Sequence, residues 1–198
     1  QLGELAGDET VGAAEYFLQQ QAPSGRGTYS FCMCPGGQVL PTPTSVGCLN
    51  VNGMSNSNRG SGFANAAWVA QVPASEFYLE APGDLHADTD FGAHVAGGAL
   101  LGLALQSRLE RACFDQGGGG YRAPAQRLTD FVAAQASADL PARSTYRPGL
   151  TLGRIDQLLP TRLFRDLQAG ARQADQVQMR GWLSAEAVIQ GVETTTSS

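Results

Sequence analysis

The chain has 198 residues, of which 42% are hydrophobic and 16% charged, and its formal net charge is −5. This composition excludes a disordered or collagen-like chain and allows one full hydrophobic core or two small lobes that share an interface. The acidic balance argues against a nucleic-acid-binding surface, and the longest apolar run is too short to span a bilayer. With four cysteines and no secretory signal at the start of the sequence, we expect free thiols in a cytoplasmic protein.

The first third of the sequence predicts a small, mostly antiparallel β unit, over about residues 15–75. Strands are predicted at residues 16–20, 28–33, 38–40, 46–51 and 64–72. The turn Pro35-Gly-Gly37 is predicted to join the second and third of these strands into a β-hairpin. The segment Asn52-Gly-Met-Ser55 is typical either of a tight turn or of a polar loop that donates amides to a ligand.

The residues from about 91 to 180 predict a helical subdomain. Asp90 is the predicted N-cap of a helix over about 91–115, which the glycines at 117–120 terminate. Pro124 is predicted to open a second helix over 125–134, because proline is favoured in the first turn of a helix.

The rest of the chain predicts two more helices and a closing strand. Thr151 is the predicted cap of a short helix that ends at Leu159, and Pro160 begins the next one. Residues 187–194 predict a strand that returns to the β unit. The sequence therefore predicts one α+β domain, with a β region at 1–75 and 185–198 and a helical region at 76–184.

The Cys-Met-Cys segment supplies the first candidate for chemistry. Cys32 or Cys34 is a candidate nucleophile or redox group if a nearby cation, such as Arg26 or Arg59, lowers its pKa. The alternative is that these cysteines fill space as small hydrophobic residues.

Motifs for other chemistries are absent from the sequence. The glycine run at 117–120 is not followed by the Lys-Ser/Thr of a P-loop. Arg122, just after this run, is still a candidate for binding an anion. No Gly-x-Gly-x-x-Gly follows a predicted strand, so this chain has no dinucleotide-binding fingerprint of its own. His86 and His94 are isolated, and we predict neither a metal site nor a hydrolase triad.

The segment Tyr29-Ser-Phe-Cys-Met-Cys-Pro-Gly-Gly37, followed by Asn52-Gly-Met-Ser55 and Arg59, resembles uncharacterised FAD-dependent dehydrogenases, which are predicted bacterial flavoproteins. The resemblance continues through three more segments of the chain. They are Gly118-Gly-Gly-Tyr-Arg-Ala-Pro-Ala-Gln126, Ser144-Thr-Tyr-Arg-Pro-Gly149 and Gly191-Val-Glu-Thr194 with the residues up to Ser198.

The resemblance implies that the chain is an inserted, substrate-side domain of a longer flavoprotein, and the missing initiator methionine agrees with this. It implies FAD as the cofactor of the full-length protein, held mainly by a separate FAD-binding lobe of the same polypeptide. The residues it places over the flavin ring are Phe31, Met33, Pro35, Gly36, Gly37, Asn52, Gly53, Met54 and Ser55. Arg59 or Arg122 would hold an unknown small-molecule substrate, and Cys32 or Cys34 would act as an acid or charge-transfer thiol.

Two alternatives stay open at this point. In the first alternative, the chain is a non-catalytic module that binds a ligand or a protein through its glycine-rich segments. In the second, it is a thiol-redox domain that uses Cys32 or Cys34.

Overall fold

The structure is a computed structural model that describes residues 18–77 and 100–195. The strands are β1 (Gln19–Gln21), β2 (Gly27–Pro35), β3 (Gly37–Pro41), β4 (Val51–Ser55), β5 (Ala64–Ala70), β6 (Ala123–Arg127), β7 (Leu150–Leu152) and β8 (Val188–Gln190). The helices are α1 (Leu101–Gln116), α2 (Leu128–Ala133), α3 (Ile155–Leu158) and α4 (Thr161–Gln173). A π-helical turn, Ala174–Gln178, follows α4. None of the helices in these two ranges is both long and apolar enough to cross a membrane.

Three small sheets make up the β structure. The first has the antiparallel order β1-β2-β5, and the second is the antiparallel pair β3-β4. The third has the order β7-β6-β8, in which β6 is parallel to β7 and antiparallel to β8. Mostly antiparallel sheets combined with helices confirm the predicted α+β class.

The predicted hairpin of residues 28–33 and 38–40 is wrong. Strand β2 pairs with β1 and β5, whereas β3 pairs with β4, so the two consecutive strands belong to different sheets. The reason is the connection, because only Gly36 separates β2 from β3 and the shortest common hairpin loop has two residues. The chain therefore crosses from one sheet to the next at Gly36.

The strand predicted at residues 46–51 lies further along the chain. Strand β4 begins at Val51 and runs through Asn52 to Ser55, so this segment is neither a tight turn nor a loop. Pairing decides the outcome, since Leu40 of β3 lies opposite Asn52 and Gly37 lies opposite Ser55.

Two predicted helix starts are also wrong, because long-range pairing overrides the local signal. Pro124 lies inside β6, where it is fully buried and its carbonyl accepts a hydrogen bond of 2.9 Å from the Gly191 N–H. Thr151 lies in β7, and the N-cap of α3 is Arg154. Pro160 does begin α4, as predicted.

The long helix ends where its sequence predicted. α1 stops at Gln116, and Gly117 follows it directly, with the ideal Cβ position of Gly117 only 2.0 Å from the Arg122 carbonyl oxygen. The predicted cap at Asp90 lies outside the described residues.

The hydrophobic core joins the second and third sheets to the helices. Its buried members include Val39, Leu49, Val51, Leu105, Leu109, Cys113, Phe131, Ile155, Leu167 and Val192. The C-terminal segment is tied to β4 by a 2.9 Å hydrogen bond from the Val51 N–H to the Val192 carbonyl. The buried Asn50 side chain accepts a hydrogen bond from the Thr194 N–H at 2.9 Å, which fixes the same segment.

Candidate functional site

The crossing from β2 to β3 brings five of the predicted site residues to one place. We call Pro35, Gly36, Gly37, Ser55 and Arg59 the Gly36 corner. The Ser55 hydroxyl donates a hydrogen bond to the Pro35 carbonyl at 3.1 Å, and Gly37 lies opposite Ser55 in the β3–β4 ladder. Residues that are 20 positions apart are thus held together, and both Pro35 and Ser55 are exposed.

Gly36 is in contact with the backbone of Arg59. Its φ of +64° is in the left-handed region, and its ideal Cβ position lies 1.6 Å from the Arg59 carbonyl oxygen. A side chain at position 36 would therefore collide with backbone atoms that no rotamer change can move. The close approach that this glycine permits is made by the chain itself.

Gly37 and Gly53 enclose the side-chain amide of Asn65, which lies in β5. The ideal Cβ position of Gly37 lies 2.4 Å from Asn65 Nδ2, and that of Gly53 lies 2.0 Å from Asn65 Oδ1. Both amide atoms are buried without a hydrogen-bond partner. Asn65 therefore occupies the space that the missing side chains of β3 and β4 leave.

The β2 part of the predicted site contains a β-bulge. The register against β5 shifts by one residue between Phe31 and Cys34. The Ser30 hydroxyl donates a hydrogen bond to Met33 Sδ at 3.2 Å, while Cys34 is a half-buried free thiol. Cys32 lies in β2, but its side chain falls outside the described part of the structure.

Strand β4 presents both exposed and paired residues. Met54 is 45% exposed, and Ser55 and all residues from 56 to 62 are exposed as well. At the other end of the strand, Asn52 Nδ2 donates a hydrogen bond to Glu193 Oε1 at 3.0 Å. Burial raises the pKa of Glu193. The Asn-Gly-Met-Ser and Gly-Val-Glu-Thr segments of the sequence are therefore neighbours in the fold.

Arg122 does not join the Gly36 corner. Its Nε donates to Thr151 Oγ1 at 3.0 Å, and its NH2 group donates to the Leu150 carbonyl at 2.5 Å. These bonds attach the residue before β6 to β7. The geometry gives Arg122 a structural task at that sheet.

The described thiols outside β2 are inaccessible. Cys48 and Cys113 are buried, and burial raises the pKa of the Cys113 thiol to about 12, with the nearby charge of Glu110 acting in the same direction. Neither is suited to act as a thiolate nucleophile. Within residues 18–77 and 100–195 no group of three or more His, Cys, Asp or Glu side chains could hold a metal ion, and His86 and His94 lie outside these ranges.

Several residues at or near this site were missed by the sequence analysis. Ser61 donates its hydroxyl hydrogen to the Gly37 carbonyl at 2.8 Å, and Asn65 and Glu193 contact β4. The guanidinium carbon of Arg143 lies 5.1 Å from the centre of the Phe63 ring. Glu193 lies in a segment on which the resemblance rests, which is a usable signal, whereas the positions of Asn65 and Arg143 depend on tertiary contacts.

The fold and the corner define an α+β domain whose glycine-containing motif residues gather at an exposed strand crossing. The chain belongs to the family described as FAD-dependent protein, C-terminal domain-like, whose model matches residues 1–196. It is also 32% identical over 188 residues to an uncharacterised protein of Clostridium beijerinckii. That match covers 94% of this chain and 32% of the relative, so the chain spans about a third of the relative's length. These findings confirm the resemblance at the level of an FAD-dependent family.

Proposed function

We propose that the chain is the substrate-side domain of an FAD-dependent oxidoreductase, a dehydrogenase, and that the Gly36 corner forms a wall over the flavin ring. The main FAD-binding lobe would lie elsewhere in the same polypeptide. The observation that carries the proposal is the meeting, at one exposed crossing, of the motif residues on which the resemblance rests. The relative's greater length leaves ample sequence for such a lobe.

The geometry of the corner suits a wall better than a cradle. The spaces beside Gly36, Gly37 and Gly53 are filled by Arg59 and Asn65, so in the described part of the structure these three glycines line no open cleft for an isoalloxazine ring. What the chain offers instead is an outer surface formed by Met54, Ser55 and the exposed residues after them. The residues therefore fit a flavin held by another lobe and covered from this side.

A bound flavin would supply the hydride chemistry, while the protein binds and orients the substrate. In this proposal Met54 shields the ring from water and Ser55 and Arg59 contact the substrate. Cys34, half-buried beside Gly37, is the described thiol placed to donate a proton there. Cys32 keeps the same proposed role.

The test uses the full-length polypeptide and two exposed apolar residues. We expect the full-length polypeptide to purify with FAD, or to take up added FAD, and to show the absorption bands of a bound flavin. Met54→Ala should shift those bands or the flavin fluorescence, whereas Val46→Ala, at a residue that is 95% exposed between β3 and β4, should not.

One result would refute the proposed oxidoreductase function, and another would refute the proposed position of the corner over the flavin. A full-length polypeptide that neither contains nor takes up flavin would rule out the oxidoreductase function. If it binds flavin and the two variants have identical spectra, the corner is not the wall.

A further inference from the structure

We propose that the Gly36 corner binds an anionic group, a carboxylate or a phosphate, through the guanidinium groups of Arg59 and Arg143. The inference rests on the proposed function in that it names the chemical class of ligand for the same corner. Arg143 thereby takes the place that the sequence analysis offered to Arg122.

Arg59 has a fixed backbone and a free side chain. Its φ of +47° is unusual for a residue other than glycine, and its N–H donates a hydrogen bond to the Asn56 carbonyl at 3.0 Å. Its carbonyl packs against Gly36. Among the described residues, nothing forms a hydrogen bond or an ion pair with its exposed guanidinium group. A left-handed backbone is energetically unfavourable for a residue other than glycine, and such strained residues are often found where a ligand is bound.

Arg143 is brought to the same corner by the segment before β7. The Val39 N–H of β3 donates a hydrogen bond to Thr145 Oγ1 at 3.3 Å, which places residues 143–145 beside that strand. The Arg143 guanidinium group lies over Phe63, whose N–H donates to Ser61 Oγ at 3.2 Å. The ring orients the guanidinium plane but uses none of its edge N–H donors in a hydrogen bond or ion pair that the structure describes.

The charge distribution favours an anion at this corner. The chain has 18 acidic residues, but none lies between Glu15 and Glu76 or between Asp139 and Asp156. The corner residues and Arg143 belong to these two stretches, which carry arginines but no acidic residue, although the whole chain carries −5. The carboxylate of Glu193 contacts β4 at Asn52, which lies opposite Leu40, three residues along the strand from Ser55.

The chemistry of the two side chains specifies the ligand class. A guanidinium group presents its N–H donors in a planar fork that matches carboxylate and phosphate oxygens. Both side chains are exposed and form no hydrogen bond or ion pair with the described residues, so their N–H donors are available to an anion. A substrate that carries a carboxylate or phosphate would be held here by that group.

The test measures anion binding to the flavin-loaded full-length polypeptide by titration calorimetry, with inorganic phosphate and succinate as probes. Arg59→Gln and Arg143→Gln should each weaken binding of the better probe by about tenfold, the loss expected for a charge-assisted hydrogen bond. Arg111→Gln, an exposed arginine on α1, is the matched control and should change the affinity by less than about twofold. Since all three side chains are exposed, thermal unfolding should stay within a few degrees of the parent protein.

The outcomes separate this inference from the function on which it rests. If neither probe binds the polypeptide with or without flavin, or if all three variants lose affinity equally, the anion site is wrong. If the probes bind only after flavin is removed, and both corner variants also lose flavin, the site holds a cofactor phosphate and the anion chemistry stands. A full-length polypeptide without flavin would refute the oxidoreductase function, while the ratio between corner and control variants would still decide the anion site.

Discussion

Replacing Gly36 with alanine should destabilise the protein more than any change of one methyl group on an exposed surface. The ideal Cβ position lies 1.6 Å from the Arg59 carbonyl oxygen and 2.0 Å from its carbonyl carbon. A left-handed backbone costs an L-residue about 1–2 kcal/mol. Overpacking against atoms that cannot rotate away costs about 1–3 kcal/mol more. The expected loss in the free energy of unfolding is therefore about 2–5 kcal/mol.

Gly62 provides the matched control for the backbone term. Its φ is +74°, close to that of Gly36, but nothing lies within 4 Å of its ideal Cβ position. Gly62→Ala should therefore lose only the backbone share, about 1–2 kcal/mol. The difference between the two variants isolates the packing of Gly36 against Arg59, and it should amount to about 1–3 kcal/mol.

Urea unfolding followed by circular dichroism measures this difference directly, and thermal unfolding gives a second estimate. For a protein of this size, each kcal/mol lowers the melting temperature by about 2–4 °C, so Gly36→Ala should lower it by roughly 4–20 °C. If Gly36→Ala is no less stable than Gly62→Ala, the contact between Gly36 and Arg59 does not contribute as described. The account of a self-filled corner would then fail.

Three further predictions concern buried groups. Cys113 should resist iodoacetamide in the folded protein at about pH 8 and react only after unfolding, because burial raises the pKa of its thiol to about 12. Mass spectrometry of the labelled peptides checks this. Labelling of Cys113 in the native state would contradict it. Burial raises the pKa of Glu193, so the folded state holds this proton more tightly than the unfolded chain does. Relative to Glu193→Gln, the parent protein should lose stability as the pH rises above the ordinary value of 4.5, and the full penalty should be present above the raised pKa. The two proteins are compared by urea unfolding from about pH 4 to 7, a span of about three units that includes this ordinary value. A stability difference that does not change over this span would refute the prediction. Arg26→Ala should lower the free energy of unfolding by about 3–5 kcal/mol, because it leaves the carboxylate of Asp166, whose side chain is 7% exposed, without its ion pair. The control, Asp139→Asn, changes a side chain that is 74% exposed in its ion pair with Arg127 and should cost about 0–1 kcal/mol. Equal losses of stability in thermal unfolding would show that burial does not control the strength of the Arg26–Asp166 pair.

The interpretation of the glycines shows where sequence-based reasoning succeeded and where it stopped. The resemblance placed Gly36, Gly37 and Gly53 over a flavin ring, and the structure shows that other groups of the chain lie against all three of them. The approaching groups are the Arg59 carbonyl and the Asn65 amide, while approach by a flavin stays a prediction. Only the fold could reveal this, because Asn65 is 28 residues beyond Gly37 and reaches it through the β2–β5 pairing.

Local patterns in the sequence were sufficient for the α+β class, for the end of α1 at Gln116 and for the start of α4 after Pro160. These features follow from interactions between residues a few positions apart, such as helix termination by glycine and helix initiation at proline. The motif segments were likewise sufficient to indicate an FAD-dependent family, which the family match confirms.

Tertiary structure alone decided which strands pair and which residues the arginines contact. A one-residue connection at Gly36 cannot form a hairpin, so β2 and β3 enter different sheets, and Pro124 is drawn into β6 by partners from distant parts of the chain. The same long-range contacts place Arg143 beside Phe63 and hold Arg122 against β7. Such contacts join residues that are far apart in sequence, and local propensity carries no information about them because their energy arises only when the core has assembled.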